Sequence, residues 1–242
     1  MNATLITGAN RGIGLEFARQ YAAAGWRVLA CCRRPEKSHL GTTDPLNKLA
    51  AQYPELIKIH LLDVADLLQI ERLAKLLAGE SPSGESIDIL INNAGIYPDS
   101  HQGGFGHTDY AEWMQAFRIN TMAPLKMAEA FATQIARSQH KTIVTITSQM
   151  GSVADNSSGG SYLYRSSKAA LNMVVKSMAI DLKPLGITAV VFHPGWVKTD
   201  MGGPNALIST ERSVAGMRQV IGQLTIADSG KFLAYDGREI PW

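Results

Sequence analysis

The sequence predicts a doubly wound α/β fold, with a mainly parallel, seven-stranded sheet and helices on both faces, built as one domain over residues 1–242. Three features carry that expectation. Short β-prone apolar runs alternate with longer helical patterns along the whole chain. The central runs, such as Ile89-Leu90-Ile91 and Val190-Val191-Phe192, are apolar at consecutive positions, as strands covered on both sides must be. A glycine-rich turn joins the first strand to the first helix.

In chain order, the first strand is Thr4–Thr7, followed by a helical pattern through Phe17, Ala18 and Tyr21 over Leu15–Ala24. Arg27–Cys31 and Ile57–Leu62 are the next strands, and Leu67–Leu77 then repeats apolar residues at helical spacing. Ile87–Ile91 leads to a long helical pattern over Tyr110–Arg137. Thr142–Thr147 precedes a helix over Tyr162–Lys183, Thr188–Phe192 precedes one over Ser209–Gln223, and Lys231–Tyr235 is a last, weaker strand. Ligands of such sheets bind beyond the carboxyl ends of the strands, where the strand order reverses. Three segments rich in turn residues, Pro98–Thr108, Ser152–Ser161 and Gly202–Ser209, are placed there. Each is either the border of a pocket or an ordinary surface loop.

The first turn reads Gly8-Ala9-Asn10-Arg11-Gly12-Ile13-Gly14, a Gly-x-x-x-Gly-x-Gly spacing. Gly8 allows a tight turn, Gly12 lets backbone approach a pyrophosphate, and Gly14 lets the helix pack closely on the strand. The N–H groups and dipole of the helix N-terminus favour phosphate. A plain strand-to-helix turn is the alternative, and dinucleotide binding is preferred.

Composition narrows the function classes. Hydrophobic residues make up 45% and charged residues 18%, as in ordinary globular proteins, and the net charge is +2 with basic residues dispersed. Neither a nucleic-acid partner nor a membrane partner is indicated, since no apolar stretch reaches the ~20 residues of a span. The chain enters a strand at once, which argues against a signal peptide. The only cysteines are the adjacent Cys31 and Cys32, which offer neither a disulfide framework nor a metal-ligand cluster. A cytoplasmic location is expected.

Tyr164 and Lys168 are four residues apart, so a helix projects them side by side, and Ser148 lies upstream at the end of an apolar run. An ammonium beside a phenol favours the phenolate and is expected to lower the tyrosine from its usual ~10 toward neutrality. That would supply a proton donor and acceptor at physiological pH. Such a pair also occurs on solvated helices, and it gains weight only beside the glycine turn.

These motifs together resemble the short-chain dehydrogenase/reductase family. The matching residues run in order: Gly8-x-x-x-Gly12-x-Gly14, Asp63, Asn92-Asn93-Ala94-Gly95, Asn120, Ser148, Tyr164-x-x-x-Lys168 and Pro194-Gly195-Trp196-Val197-Lys198-Thr199. Within it the chain looks closest to the Sniffer-like carbonyl reductases and the related C-factor group. That likeness rests on Ser148–Ser152, Asp155–Gly160, Tyr164–Asn172 and Asp236–Trp242. The resemblance implies a Rossmann-type fold, with a dinucleotide-binding half over about 1–147 and a catalytic, substrate-binding half over about 148–242. It assigns catalysis to Asn120, Ser148, Tyr164 and Lys168. Tyr164 would donate a proton to a carbonyl oxygen as hydride arrives, and Ser148 would orient that oxygen. Lys168 would lower the tyrosine pKa and bond the nicotinamide ribose. Asn120 would hold a relay water, although by itself it reads as a helix-interior polar residue.

For the cofactor, the resemblance implicates Gly8, Asn10, Arg11, Gly12, Ile13 and Gly14 around the phosphates. Asn92, Ala94 and Gly95 would lie beneath it, and Pro194, Gly195, Val197 and Thr199 at the carboxamide, with Tyr164 and Lys168 at the nicotinamide ribose. Asp63 either meets the adenine, with Val64 beside it, or caps the helix before Asp66–Leu77. Cys32 stands where NAD-preferring relatives carry an acidic residue, and Arg33 follows it. With no carboxylate to repel a 2′-phosphate, Arg33 and Arg11 point to NADP(H) unless both are merely solvated. The substrate expected is an uncharged carbonyl or alcohol compound against Ser148, Met150, Tyr164 and Trp196, with Tyr97, Phe105 and Met201 as further pocket candidates. His101, His107 and His193 have no part in this chemistry. A homodimer or homotetramer through Tyr110–Arg137 and Tyr162–Lys183 is implied. An NADP(H)-binding signalling or sensor protein with incidental turnover is the alternative.

Overall fold

The computed structural model describes residues 1–33, 44–79, 86–98 and 104–242. Seven parallel strands form one sheet in the order β3-β2-β1-β4-β5-β6-β7. They are β1 Ala3–Thr7, β2 Arg27–Cys32, β3 Ile57–Leu61, β4 Ile89–Asn92, β5 Thr142–Ile146, β6 Thr188–His193 and β7 Phe232–Ala234. The helices are α1 Gly12–Ala23, α2 Pro45–Gln52, α3 Leu67–Gly79, α4 Tyr110–Phe117, α5 Ala123–Ala136, α6 Tyr162–Asp181 and α7 Thr210–Ile221.

Alternation within each strand divides the core into two layers. Leu5, Leu29, Leu90, Ile143, Ala189 and Val191 pack with α3, α5 and α6 through Leu73, Phe131 and Leu171. Ile6, Val28, Ala30, Ile91, Val144 and Phe192 pack with α1, α2 and α7 through Phe17, Leu46 and Met217. Side chains of a strand point alternately to opposite faces, so a strand buried on both sides must be apolar throughout. The strand order reverses between β1 and β4, which opens a crevice at their carboxyl ends.

Two elements differ from the sequence expectation. The α2 helix was not anticipated, although Asp44 accepts a hydrogen bond from the Leu46 amide and Pro45 takes the first turn, a regular start signal. The helix expected over Tyr110–Arg137 is interrupted by a π-helical turn at Arg118–Met122, where the Ala123 amide donates to the Arg118 carbonyl. Pro124 has no N–H for the Asn120 carbonyl four residues back, which is the physical reason for a break there. Among the described residues no helix is long and apolar enough to cross a membrane. Cys31 and Cys32 are buried and not joined in a disulfide.

Candidate active site

A cleft of about 710 Å³ lies along the carboxyl edge of the sheet. Its walls bring together Gly8, Asn10, Arg11, Gly12 and Ile13 with Arg33, Asp63, Val64, Ala94, Gly95, Tyr164, Lys168, Pro194 and Thr199. Gly8 and Gly12 have φ of +66° and +54°, the left-handed region that glycine adopts without strain. A Cβ on Gly14 would lie 2.2 Å from the Gly8 carbonyl oxygen and 2.5 Å from Asn93 Nδ2, so only glycine lets α1 approach this closely. Arg11 occupies the N-cap of α1 without making a side-chain cap bond, leaving the first amides of that helix to another acceptor.

Asn93, which the sequence reading quoted only as part of its motif, laces the two sides of the crevice. Its Nδ2 donates to the Thr7 and Gly8 carbonyls at 2.9 and 3.2 Å, and the Asn93 and Ala94 amides both donate to Thr7 Oγ1 at 3.0 Å. Asn92, expected beneath the cofactor, is instead buried behind the wall, its Nδ2 directed at the Pro124 carbonyl and Thr145 Oγ1. Alternation along β4 explains this, since neighbouring residues of a strand face opposite ways.

At one part of the cleft, β2 ends in buried Cys32, and exposed Arg33 joins Lys48 and Gln52 of α2 in the wall. Lys48 escaped the sequence reading along with its helix. Arg11 is already paired, its Nη1 donating to Asp200 Oδ2 at 2.7 Å with both side chains exposed. Asp63 accepts from the Ala65 amide, while Asp66 caps α3 through the Leu68 and Gln69 amides. The helix-cap alternative therefore belongs to Asp66. Thr199 faces Gly12 across the cleft, its Cγ2 at 3.2 Å from where a Gly12 Cβ would be. Val197 is buried and Gly195 has φ +85°, both within the turn that follows β6.

Ser148 follows β5 and opens the short 3₁₀ turn Gln149–Gly151, its Oγ accepting from the Met150 amide at 3.1 Å. Tyr164 and Lys168 lie on the buried face of α6. Burial pushes the Tyr164 phenol up to about 12, partly offset by its hydrogen bond with Ser148. Burial also pulls the Lys168 ammonium down to about 8. The expected lowering of Tyr164 by Lys168 is absent: Nζ donates to the Ile146 carbonyl at 2.9 Å and lies 5.8 Å from the Tyr164 ring centre, so dehydration dominates both groups. Asn120 sits in the π-helical turn. Its Oδ1 accepts from the Ile96 amide, and its Nδ2 donates to the Ile96 carbonyl and Ser167 Oγ.

The substrate candidates separate. The Tyr97 ring meets Tyr164 edge-on at 4.7 Å, and its hydroxyl shares a hydrogen bond with Ser161 Oγ. Met201 is in the cleft wall. Trp196 is half exposed and donates to the Gly202 carbonyl, and the Met150 carbonyl faces Arg165; neither lines the cleft. Phe105 is 91% exposed and lines a different hollow with Tyr110, Trp113 and Tyr162. Burial holds His193 down to about 4, hence neutral, and His101 lies outside the described residues.

Comparison with known proteins agrees with this fold. The family model for short chain dehydrogenase matches residues 2–207. The C-signal protein of Myxococcus xanthus is 46% identical over 156 residues, 64% of this chain and 93% of that protein. An NADPH-bound carbonyl reductase from chicken fatty liver superposes with a TM-score of 0.91 at 34% identity, covering 100% of this chain and 99% of that one. The carbonyl reductase Sniffer of D. melanogaster does so at 0.90 and 32%, covering all of both chains. With the glycine turn, Tyr164 and Lys168 on one cleft and a match over most of its length, this chain belongs to the short chain dehydrogenase family.

Proposed function

We propose that this protein is an NADPH-dependent carbonyl reductase that converts an aldehyde or ketone to an alcohol, with Tyr164 as proton donor. The observation that carries this reading is Tyr164, hydrogen-bonded with Ser148, in the same cleft wall as Lys168, the glycine turn and Arg33. The cleft fits a dinucleotide on its own evidence: the Gly14 contact, the α1 amides without a side-chain cap, and a volume within the usual ~300–1,000 Å³ of ligand sites. The Gly8–Gly14 turn would hold the pyrophosphate, Arg33 with Lys48 the ribose 2′-phosphate, and Asp63 with Val64 the adenine. Ala94, Gly95, Pro194 and Thr199 would line the nicotinamide side. The carbonyl reductase neighbour with NADPH bound supports the same cofactor here.

When bound, NADPH supplies the hydride that reaches the carbonyl carbon. Tyr164 gives its phenolic proton to the carbonyl oxygen, and the Ser148 hydroxyl orients that oxygen and stabilises its developing charge. Lys168, close to Tyr164, stabilises the phenolate that proton transfer leaves. Asn120 braces Ile96 beside the cleft and α6 through Ser167, so a relay water is better placed on backbone carbonyls than on the Asn120 amide. Exposed Met114, Met122, Met173 and Ile180 on the helical face support association with a second copy.

The test is oxidation of NADPH, beside NADH, with a panel of aldehydes, ketones and quinones. Turnover with NADPH should fall ~100-fold or more in Tyr164→Phe while NADPH binding persists, the usual size of a general-acid contribution. The C-signal relative supports a second reading, an NADP(H)-binding signalling protein. Tight NADPH binding with no turnover across the panel would favour it.

A further inference from the structure

We propose that Asn172 is a positioning residue, which fixes Ser148 against Tyr164 by bracketing the Ser148 turn from α6. This inference rests on the carbonyl reductase reading above. Tyr164, Lys168 and Asn172 are spaced by four, so they occupy one face of the helix over its first three turns. Asn172 is 4% exposed and has no titratable chemistry of its own. Both ends of its amide are used. Oδ1 accepts from Thr147 Oγ1 at 2.7 Å, on the residue just before Ser148, and Nδ2 donates to the Gly151 carbonyl at 3.1 Å, on the last residue of the turn that Ser148 opens.

The three residues between these anchor points begin with Ser148, so its position is set relative to the helix that carries Tyr164. Gly151 makes the contact possible: a Cβ there would lie 2.9 Å from the Lys168 carbonyl carbon and Cβ. The turn therefore sits directly on the α6 backbone, and Asn172 supplies directional bonds at both its ends. Beyond the bracket the chain is held elsewhere, by Ser152 Oγ donating to the Pro241 and Trp242 carbonyls. Those bonds fix the exit of the turn without defining where Ser148 stands toward Tyr164. Buried amides satisfied on two sides confine a loop because leaving either side unpaired is costly.

The experiment is a double-mutant cycle between Asn172→Ala and Ser148→Ala, read as kcat with a carbonyl substrate and as NADPH affinity. Asn172→Ala should lower kcat about 10- to 100-fold, the size expected of a misplaced catalytic group, with NADPH affinity within about twofold of the parent. In the Ser148→Ala background the same change should have almost no further effect, because the group it positions has gone. Thr147→Val, which removes one bond and keeps the branched shape, should show the same dependence more weakly. Amide hydrogen exchange of residues 147–152, faster in both variants while that of α6 is unchanged, reads the bracket without turnover. Independent, multiplying losses in the cycle, or unchanged exchange in this segment, would overturn the proposal. A parent protein that reduces no carbonyl compound would overturn the proposed function instead, and the bracket would then be decided by the exchange measurement.

Discussion

Lys168 pays in stability for its place in the cleft, and replacing it by methionine should make the cofactor-free protein more stable. The ammonium is 4% exposed and held down to about 8 from an ordinary 10.5. At ~1.4 kcal/mol per unit, its charged form at neutral pH costs the folded state about 3 kcal/mol. Methionine keeps the unbranched stem without the charge, and it forfeits the hydrogen bond to the Ile146 carbonyl, returning about 1–2 kcal/mol. The net expectation for Lys168→Met near pH 7 is a gain of about 1–2 kcal/mol, or ~2–8 °C in Tm for a chain of this size. The pH dependence follows from the sign of the shift. Between about 8 and 10.5 the unfolded lysine binds a proton that the folded one does not, so wild-type stability rises with pH through that window. The cost of burial falls by roughly half between pH 7 and about pH 9.5, and the variant's advantage should vanish there. Tyr164, raised to about 12, loses stability mainly above its unfolded value of 10, beyond the two pH values compared. Thermal denaturation followed by circular dichroism, without cofactor, at the two pH values is the assay. A variant less stable than wild type near pH 7, or a difference that does not change with pH, would refute the account of a dehydrated ammonium.

Two further outcomes follow from the cofactor side of the cleft. Gly14→Ala gains ~1 kcal/mol of helix propensity but sets a methyl 2.2 Å from the Gly8 carbonyl and 2.5 Å from Asn93 Nδ2. It should destabilise the fold by about 1–3 kcal/mol and weaken NADPH binding at least about tenfold, and calorimetric titration showing parental affinity would refute the close-contact explanation. Arg33→Asp removes an exposed cation from the cleft wall and adds a carboxylate. The ratio of kcat/KM for NADPH over NADH should drop about 10- to 100-fold, and an unchanged ratio would sink the assignment of Arg33 to the 2′-phosphate.

The sheet was legible because strands buried on both faces cannot hide: each of the seven runs read from the sequence overlaps a strand of the structure. What escaped is equally physical. The α2 helix is only eight residues long, too short for a convincing apolar period, although Asp44 followed by Pro45 marked its start. The π-helical turn holding Asn120 breaks a 3.6-residue pattern that a period search averages over, and only Pro124 signalled it. The Tyr164–Lys168 pair was found by spacing, yet spacing carries no depth. It could not tell that Nζ reaches the Ile146 carbonyl, or that dehydration would raise the phenol it was expected to lower. Phe105 was grouped with the pocket on its aromaticity, and the backbone places it 91% exposed beside a different hollow. Asn172 continued the same four-residue spacing, but an amide without acid–base chemistry gives a sequence reader no reason to select it.

Tyr164 and Lys168 are shifted by one cause, burial, which favours the neutral form of each. Burial pushes the Tyr164 phenol up, so at neutral pH it keeps its proton, the state that the proposed donation to a carbonyl oxygen requires. Lys168 at about 8 remains mostly charged there, so the site holds its proton donor and a nearby cation together. Both conditions come from burial in one dry region, where α6, the Ser148 turn and the Gly95 backbone meet. In the proposed reduction, the stability given up by burying Lys168 is matched to a phenolate formed only by proton transfer, a state the ammonium serves better than the resting one.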